Sequence, residues 1–295
     1  MSPSVLFALL HALRAQQPAA PSVSLIDTAV LAAPRLGESS GVASSRRRGV
    51  YWTHNDSGDG PVLYATDTLG RDLGFVRVIG AGAVDWEDLA AAPCGDRAGT
   101  CLYIADTGDN RRRRPQVVVY RLAEPEPPGG PGDTTRTAAL IDSIVLRYRD
   151  RPHDAEALAV TAGGWLLLVT KELLGPPLLY RARLGGAPGP QTPDSLGPLP
   201  VATNPILGRL VTGAAVSPDG RLLVVRTYVS LHVFALEADG RSVPLGDPRG
   251  VPIPVIESQG EAVAFDGDRT LVLTSERGTT GHAALTRLRL FAPER

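Results

Sequence analysis

The chain has 295 residues, 43% of them hydrophobic, with a formal net charge of −1 and a pI near 6.5. Without a net positive field it lacks the counterion-release term that drives binding to nucleic acid or to an anionic membrane surface. We therefore expect no nucleic-acid partner. The length allows one large all-β domain or two ordinary ones.

The first segment of the chain, residues 1–20, has the character of an export signal. Its apolar run, Val5 to Leu13, is too short to cross a bilayer, which takes roughly 20 residues, but it fits the apolar part of a secretory signal. We predict a periplasmic or secreted protein with no transmembrane helix. Residues 1–20 are expected to be an export signal or a segment that docks on a membrane or partner, and 21–295 to be one domain.

One short phrase recurs five times after this segment. The copies are residues 38–43, 85–91, 153–160, 211–216 and 259–265. Each copy is followed by a turn, a second apolar strand and a third strand, which in four units carries an aromatic residue such as Tyr64 or Phe234. Strand-rich units that repeat every 40 to 50 residues or so are typical of a β-propeller.

We therefore predict an all-β protein, a β-propeller of five four-stranded blades, or six if one unit escapes the pattern. The last unit ends at Phe291, one strand short, and the alternating segment Val23 to Leu31 has no partner nearby in sequence. An N-terminal strand that completes the last blade would close the ring and leave no free edge. The predicted outer strands are Phe75–Ile79, Leu140–Arg149, Leu196–Ala202, Val251–Ile256 and Val23–Leu31.

Two cysteines, Cys94 and Cys101, lie at the ends of one predicted hairpin loop. That placement brings two cysteines within disulfide range, and an exported protein meets oxidising conditions. We predict a disulfide, with two free buried thiols as the alternative. Neither cysteine belongs to a CxxC or zinc pattern, which argues against a metal or redox role.

Acidic residues begin the recurring phrase. In a propeller the first strand of each blade lines the central channel and starts at the face where the second strand ends, so these acids are expected to meet at one channel mouth. The phrase aligns Glu38, Asp85, Asp154, Val211 and Gln259 in one column, and Ser40, Glu87, Glu156, Gly213 and Glu261 in the column two residues on. The ends of the second strands add Asp56, Asp106, Lys171 and Arg226.

So many carboxylates around one axis cannot all stay ionised without a counter-charge. Calcium, which prefers carboxylate and carbonyl oxygens, is the cation best suited to them; magnesium is the weaker choice, and zinc is disfavoured without a histidine or cysteine cluster. The predicted ligands are Glu38, Asp56, Asp85, Glu87, Asp106, Asp154, Glu156 and Glu261. Salt bridges to Lys171, Arg226 and nearby arginines, or protonated carboxyls and water networks, are the alternatives.

These features are similar to those of secreted calcium-binding β-propellers, the group that holds phytase-like, gluconolactonase-like and paraoxonase-like proteins. The resemblance lies in the acidic inner strands, the turns Asn55-Asp56 and Asp106-Thr107-Gly108-Asp109-Asn110, and the hairpin Ser217-Pro218-Asp219-Gly220. It implies a calcium ion at the channel mouth, near which phosphoesters or lactones are hydrolysed by metal-activated water. Those families are mostly six-bladed, whereas the repeats here number five.

Two functional hypotheses follow, and the sequence does not decide whether the protein is an enzyme. We place first an exported binding or scaffold module in an envelope protein assembly, with calcium at its mouth. The second is a calcium-dependent hydrolase of phosphoester, lactone or glycoside substrates. In that hypothesis Glu87, Glu156 and Glu261 hold the metal or act as general base, Lys171 and Arg226 bind an anionic substrate, and His153 is an acid/base. The sequence contains no GxSxG, HExxH or GxxxxGK motif.

Overall fold

A computed structural model of the chain describes residues 20–133, 135–185, 189–202, 204–278 and 281–293. The predicted export segment therefore lies outside the described residues, apart from Ala20. Alternating and β-branched segments form strands almost throughout, since such side chains pack well on a pleated surface. None of the described residues form a helix long and apolar enough to span a membrane.

Over the described residues, the strands form four hydrogen-bonded sheets of four, four, five and eight strands. The eight-stranded sheet contains two antiparallel units of four strands, so the strands fall into five units. The inner strands are β2 (Ser39–Ser44), β6 (Trp86–Pro93), β10 (Ala155–Val160), β14 (Val211–Val216) and β19 (Gly260–Phe265). The second strands are β3 (Val50–Asn55), β7 (Thr100–Asp106), β11 (Trp165–Thr170), β15 (Leu222–Thr227) and β20 (Thr270–Ser275). The third strands are β4 (Val62–Asp67), β8 (Val117–Ala123), β12 (Leu178–Arg183), β16 (Ser230–Leu236) and β21 (Ala284–Phe291). The outer strands are β5 (Asp72–Ile79), β9 (Arg136–Leu146), β13 (Asp194–Pro198), β17 (Ser242–Pro244) with β18 (Val251–Pro252), and β1 (Ser22–Val30).

The five inner strands contact one another in a closed ring, β2 to β6, β10, β14, β19 and back to β2. The N-terminal strand β1 pairs with the last strand β21, from Ser22 opposite Phe291 to Val30 opposite Ala284. The predicted β-propeller fold and its closure by an N-terminal strand are confirmed. All first strands therefore begin at one face of the disc, which we call the mouth face.

The predicted outer strands Leu140–Arg149 and Leu196–Ala202 end earlier, at Leu146 and Pro198, and the outer edge differs from the prediction in two further places. In the fourth unit the edge strand is Ser242–Pro244, while Val251–Pro252 pairs only with the first two residues of β16. Prolines at 252 and 254 explain why the predicted strand Val251–Ile256 stops early, because proline has no N–H to donate to a ladder. In addition, β5 pairs in parallel with the long β9, which joins the first two units at their outer edge.

Apolar side chains fill the spaces between neighbouring units. Trp52 and Trp86 are almost fully buried between the first two units, together with Leu63, Leu89 and Ile104. Burial of such side chains stabilises the fold by about 25 cal/mol per Å² of apolar surface. The predicted disulfide Cys94–Cys101 is present and joins the ends of the β6–β7 turn.

Candidate metal centre at the channel mouth

A β-bulge occurs at the second residue of every inner strand. The extra residues are Ser40, Glu87, Glu156, Thr212 and Glu261. A bulge leaves one residue out of the ladder and re-aims its side chain, which is why bulges are frequent beside functional sites. The sequence alignment placed Gly213 in this column. That assignment was wrong by one residue, because the bulge falls at Thr212.

Five of the predicted ligands lie together in two groups that share one carboxylate. One oxygen from each of Asp56, Asp85 and Glu87 lies within 4.8 Å of the others, and the same holds for Glu87, Asp154 and Glu156. Asp56 directly follows the second strand β3, and Asp85 and Asp154 directly precede the inner strands β6 and β10. Second strands end and inner strands begin at the mouth face, so these acids meet there, with Glu87 at the centre.

Gly108 provides the space for this arrangement. A Cβ atom added at Gly108 would lie 1.9 Å from Glu87 Oε1 and 2.5 Å from Asp85 Oδ2. The Gly108 N–H also donates to the Asp85 carbonyl oxygen at 3.2 Å, and Arg114 Nη1 donates to the Gly108 carbonyl at 2.7 Å. The turn after β7 thus packs its backbone directly on the two carboxylates, and any side chain at this position would displace them.

The acids of the mouth raise one another's pKa values. Burial, and then the charges of Glu156, Asp56 and other neighbours, raise the pKa of Glu87 well above its usual range. Burial raises the pKa of Glu156 to about 8, although Lys171 opposes the shift. Burial and the charges of Asp56 and Asp154 raise the pKa of Asp85 to about 6. The mouth is therefore a place where added positive charge is favourable.

Lys171 lies at the mouth as predicted. Its Nζ is 3.1 Å from Glu156 Oε2, and its ammonium lies over the Tyr228 ring, 5.2 Å from the centroid. Burial alone lowers the pKa of Lys171, but the charges of Glu156, Tyr228 and Glu261 outweigh it and raise that pKa. The side chain keeps 16% exposure, so a ligand in the mouth can reach the ammonium.

Arg226 is placed differently from Lys171. Its side chain is fully buried, and Nη1 donates to the carbonyl oxygens of Ala262 at 2.6 Å and Thr274 at 2.9 Å. The guanidinium also pairs with the Glu257 carboxylate. The predicted substrate cation thus lies in the wall between the fourth and fifth units, bonded to the protein.

His153 packs in an aromatic cluster with Tyr148 and Tyr180, between the second and third units. The side chain is fully buried, with Nε2 within hydrogen-bond distance of Asp150 at 3.0 Å and of the Tyr180 hydroxyl at 2.9 Å. Its ring lies edge-on to Tyr148 at 4.8 Å between centroids. The described contacts of His153 are therefore with the second and third units rather than with the carboxylates of the two groups.

Three predicted ligands lie outside the two groups. Asp106 pairs with Arg114 at 2.8 Å and accepts hydrogen bonds from the Val84 and Asp85 backbone, so it positions Asp85. Glu38 is exposed and faces Glu276 across a β-bridge. Glu261 is buried at the bulge of β19, where burial raises its pKa and Lys171 opposes that shift.

The sequence interpretation missed Asp88. Its carboxylate is fully buried and accepts hydrogen bonds from the backbone N–H groups of Leu89 and Leu158 at 2.8 Å and of Ala214 at 3.1 Å. It thus ties three inner strands together one residue beyond the bulge. The sequence carried a signal: the other four copies place Gly41, Ala157, Gly213 and Ala262 at this position.

Thr212 is the second residue that sequence reasoning missed. It occupies the bulge position of the fourth unit, is 1% exposed, and its Oγ1 has no hydrogen-bond partner among the described residues. A buried hydroxyl usually has a partner. A water molecule or bound ligand at the bulge positions would satisfy it.

Comparisons with known proteins give the fold and no family. No protein-family model and no curated protein sequence matches this chain. Among solved structures, the PQQ-bound aldose sugar dehydrogenase of Streptomyces coelicolor superposes with a TM-score of 0.53 at 14% identity, over 93% of this chain and 100% of that one. A gluconolactonase of Xanthomonas campestris gives 0.45 at 12% identity over 92% and 95% of the two chains. The calcium-binding protein regucalcin of Agrobacterium tumefaciens gives 0.46 at 13% over 94% and 97%.

The similarity to the aldose sugar dehydrogenase supports the propeller fold. The other two structures have TM-scores below 0.5, so nothing is inferred from them. An identity of 14% carries no information on activity, since one fold hosts many functions. The function must therefore be inferred from the residues at the mouth.

Proposed function

We propose that this protein is an exported calcium-binding β-propeller that acts as a binding module through its acidic mouth. The observation that carries the proposal is the position of Glu87, whose carboxylate belongs to both groups of clustered acids. Calcium takes about six to eight oxygen ligands in flexible geometry, which suits carboxylates delivered by several loops. The two groups contain neither His nor Cys, which disfavours zinc.

The pairing of charges supports a cation over internal salt bridges. Between described residues, the single ion pair made by the five clustered acids is Lys171 with Glu156. For Asp56, Asp85, Glu87 and Asp154, the described residues provide no ion-pair partner. Their negative charge, held in a largely buried site, is what a bound divalent ion would neutralise.

The disulfide supports the proposed location outside the cytoplasm. A bond between Cys94 and Cys101 persists in oxidising compartments and is rare in the cytosol. Together with the signal-like apolar run in residues 1–20, it supports a periplasmic or secreted location, and we propose an envelope assembly as the setting in which the module binds. Residues 1–20 would then be a cleaved signal or a docking segment.

Calcium titration by calorimetry on the chelator-treated protein tests the proposal, with thermal unfolding followed in parallel. We expect saturable binding and a higher melting temperature with calcium. Glu87→Gln should weaken calcium binding by at least about 100-fold, because it removes a ligand common to both groups. Glu126→Gln, the same change at an exposed acid that pairs with Arg46, is the matched control. Absence of binding heat and of a melting shift in the wild type would refute the proposal.

Hydrolysis is a second candidate function, favoured by Lys171. Its partly exposed ammonium beside the clustered acids can hold a phosphoryl or carboxylate oxygen of a substrate. Bound calcium would polarise the same oxygen. Glu87, Glu156 and Glu261 would then serve as ligands or as the base. A screen of 4-nitrophenyl phosphate, δ-valerolactone and 4-nitrophenyl glycosides tests this, and genuine turnover must disappear with chelator and in Glu87→Gln.

A further inference from the structure

A group of aliphatic side chains is exposed on the mouth face. Its members, which we call the apolar rim, are Leu173, Leu174, Ile206, Leu207 and Val229, exposed at 59, 85, 50, 48 and 41%. Contiguous exposed apolar side chains mark ligand grooves or contact surfaces in soluble proteins.

The apolar rim comes from three neighbouring loops of the third and fourth units. Leu173 and Leu174 follow β11, Ile206 and Leu207 form a short 3-10 turn before β14, and Val229 lies between β15 and β16. All three loops lie at the face where inner strands begin. The Arg209 side chain donates to the Leu173 carbonyl, and an added Cβ at Gly208 would lie 3.8 Å from Val229 Cγ2. The loops are therefore adjacent to one another.

Lys171 connects the apolar rim to the mouth. It is two residues from Leu173, and its ammonium lies over the ring of Tyr228, the neighbour of Val229. The clustered carboxylates border Lys171 through Glu156, and two residues of the apolar rim, Leu173 and Val229, follow Lys171 and its ring partner Tyr228 closely in the chain. A molecule bound at Lys171 can therefore extend from the acids toward the apolar rim.

The opposite border of the mouth is polar. A cavity of about 430 Å³ between the first and last units is lined by Arg35, Glu38, Asn55, Glu276 and Arg277, with glycines between them. Val84 and Ile256, at 62 and 101% exposure, are also exposed in loops that precede inner strands, so aliphatic side chains are not confined to the Lys171 side. The largest group of them, the five residues of the apolar rim, nevertheless lies on that side.

We infer that the ligand of the mouth is an amphiphile, with an anionic head held beside Lys171 and an aliphatic chain laid on the apolar rim. The inference rests on the proposed calcium-binding function and adds the chemical class of the ligand. An anionic phosphoryl or carboxylate head suits an ammonium and a calcium ion. A chain on the rim covers aliphatic surface that is otherwise exposed to water.

A chain-length series tests the inference without requiring turnover. Methyl-, butyl- and octylphosphonate are titrated calorimetrically into the calcium-loaded full chain, below their aggregation concentrations. We expect affinity to rise with chain length, by up to about fourfold for each methylene that is fully buried. In Leu174→Ser/Leu207→Ser the three affinities should converge. Leu69→Ser, which changes a 64% exposed leucine in the β4–β5 turn on the other face, should keep the wild-type series.

The outcomes separate this inference from the proposed function. If calcium binds and no phosphonate does, or if affinity is independent of chain length, the amphiphile is wrong and calcium binding stands. A chain-length series unchanged in Leu174→Ser/Leu207→Ser also overturns it. So does a rim variant that loses co-sedimentation with phosphatidylglycerol vesicles but keeps its octylphosphonate affinity, because the rim then contacts a lipid surface. If calcium itself does not bind, the proposed function fails and this inference fails with it.

Discussion

Two buried charged regions of this propeller are built in opposite ways. In the wall between the fourth and fifth units, Arg226 is paired with Glu257 and bonded to two backbone carbonyls, and both side chains are 4% exposed or less. At the mouth, five acids in two groups that share Glu87 have one described ion-pair partner, Lys171. The first region pairs a positive with a negative charge, although Arg226 Nε and Glu257 Oε1 have no hydrogen-bond partner among the described residues. The second region holds an excess of negative charge.

The difference indicates where the protein meets a ligand. A buried ion pair needs no external ion to balance its charge, and removing one partner is costly because the other charge is left buried and unpaired. Burial and mutual repulsion raise the pKa values of the mouth acids, so keeping these acids ionised in the folded protein costs free energy. Groups with pKa values shifted in this way cluster at functional sites. The contrast supports the proposal that the clustered acids, rather than Arg226, bind the ligand.

The largest expected effect is on the wall pair. Glu257→Gln leaves the Arg226 guanidinium buried without its carboxylate, which should lower the free energy of unfolding by about 3–5 kcal/mol. Urea unfolding of the calcium-free protein measures it. The double variant Arg226→Met/Glu257→Met removes both charges and should be much closer to the wild type. Equal losses in the single and double variants would contradict the view of a self-contained pair.

The second prediction concerns pH at the mouth. Burial raises the pKa of Glu156 to about 8 and that of Glu276 to about 7, and burial with neighbouring acids raises that of Asp85 to about 6. Such acids keep their protons in the folded state after the unfolded chain has lost them. Their contribution to stability is therefore complete below the unfolded pKa, near 4, and is lost as pH rises through the folded values.

The metal-free protein should accordingly become less stable between about pH 4 and pH 8. Calcium competes with those protons, so its affinity should rise by about 100-fold or more from pH 5.5 to pH 8. Melting curves of the metal-free protein and calorimetry at three pH values measure the two trends. A calcium affinity that does not change over this range would mean that the raised acids are not the ligands.

The third prediction is an increase in the free energy of unfolding, whereas the first is a decrease. In the metal-free protein at pH 9, Glu87→Gln should raise the free energy of unfolding by about 1–2 kcal/mol, because the amide carries no charge to repel Glu156 and Asp85. Thermal unfolding without calcium measures it, with Glu126→Gln as the control. A lower melting temperature in Glu87→Gln would show that the fold itself uses this charge.

The repeated phrase predicted the fold because each unit must present the same strand pattern to the ring. It also predicted the clustered acids, because equivalent positions in a closed ring meet at one face. Thr212 was missed because the bulge shifts the register of the fourth unit by one residue without any mark in the sequence. Asp88 stands where the other units have Gly or Ala, but the backbone N–H groups of Leu158 and Ala214 that it accepts from are visible only in the fold. The sequence also could not distinguish Lys171 from Arg226, because both lie at the end of a second strand. Their roles differ through tertiary contacts, Lys171 with Tyr228 and Arg226 with Glu257.

The smallest expected effect concerns Lys171, and it separates two roles that the geometry allows. If Lys171 binds the ligand, Lys171→Met should weaken butylphosphonate binding by about tenfold, the value of one charge-assisted hydrogen bond. Calcium affinity should rise a few-fold in the same variant, because a positive charge beside Glu156 is removed. Methionine keeps the apolar stem of lysine, so the packing against Tyr228 is preserved. Arg183→Met, which removes a cation over Trp165, controls for net charge.

If Lys171 only balances Glu156, the calcium affinity should rise as before while the phosphonate affinity stays at the wild-type value. The two titrations on one variant therefore decide the role. A loss in both would place Lys171 in the support of the calcium ligands themselves, because its ion pair with Glu156 then holds that carboxylate in the position from which it binds the metal.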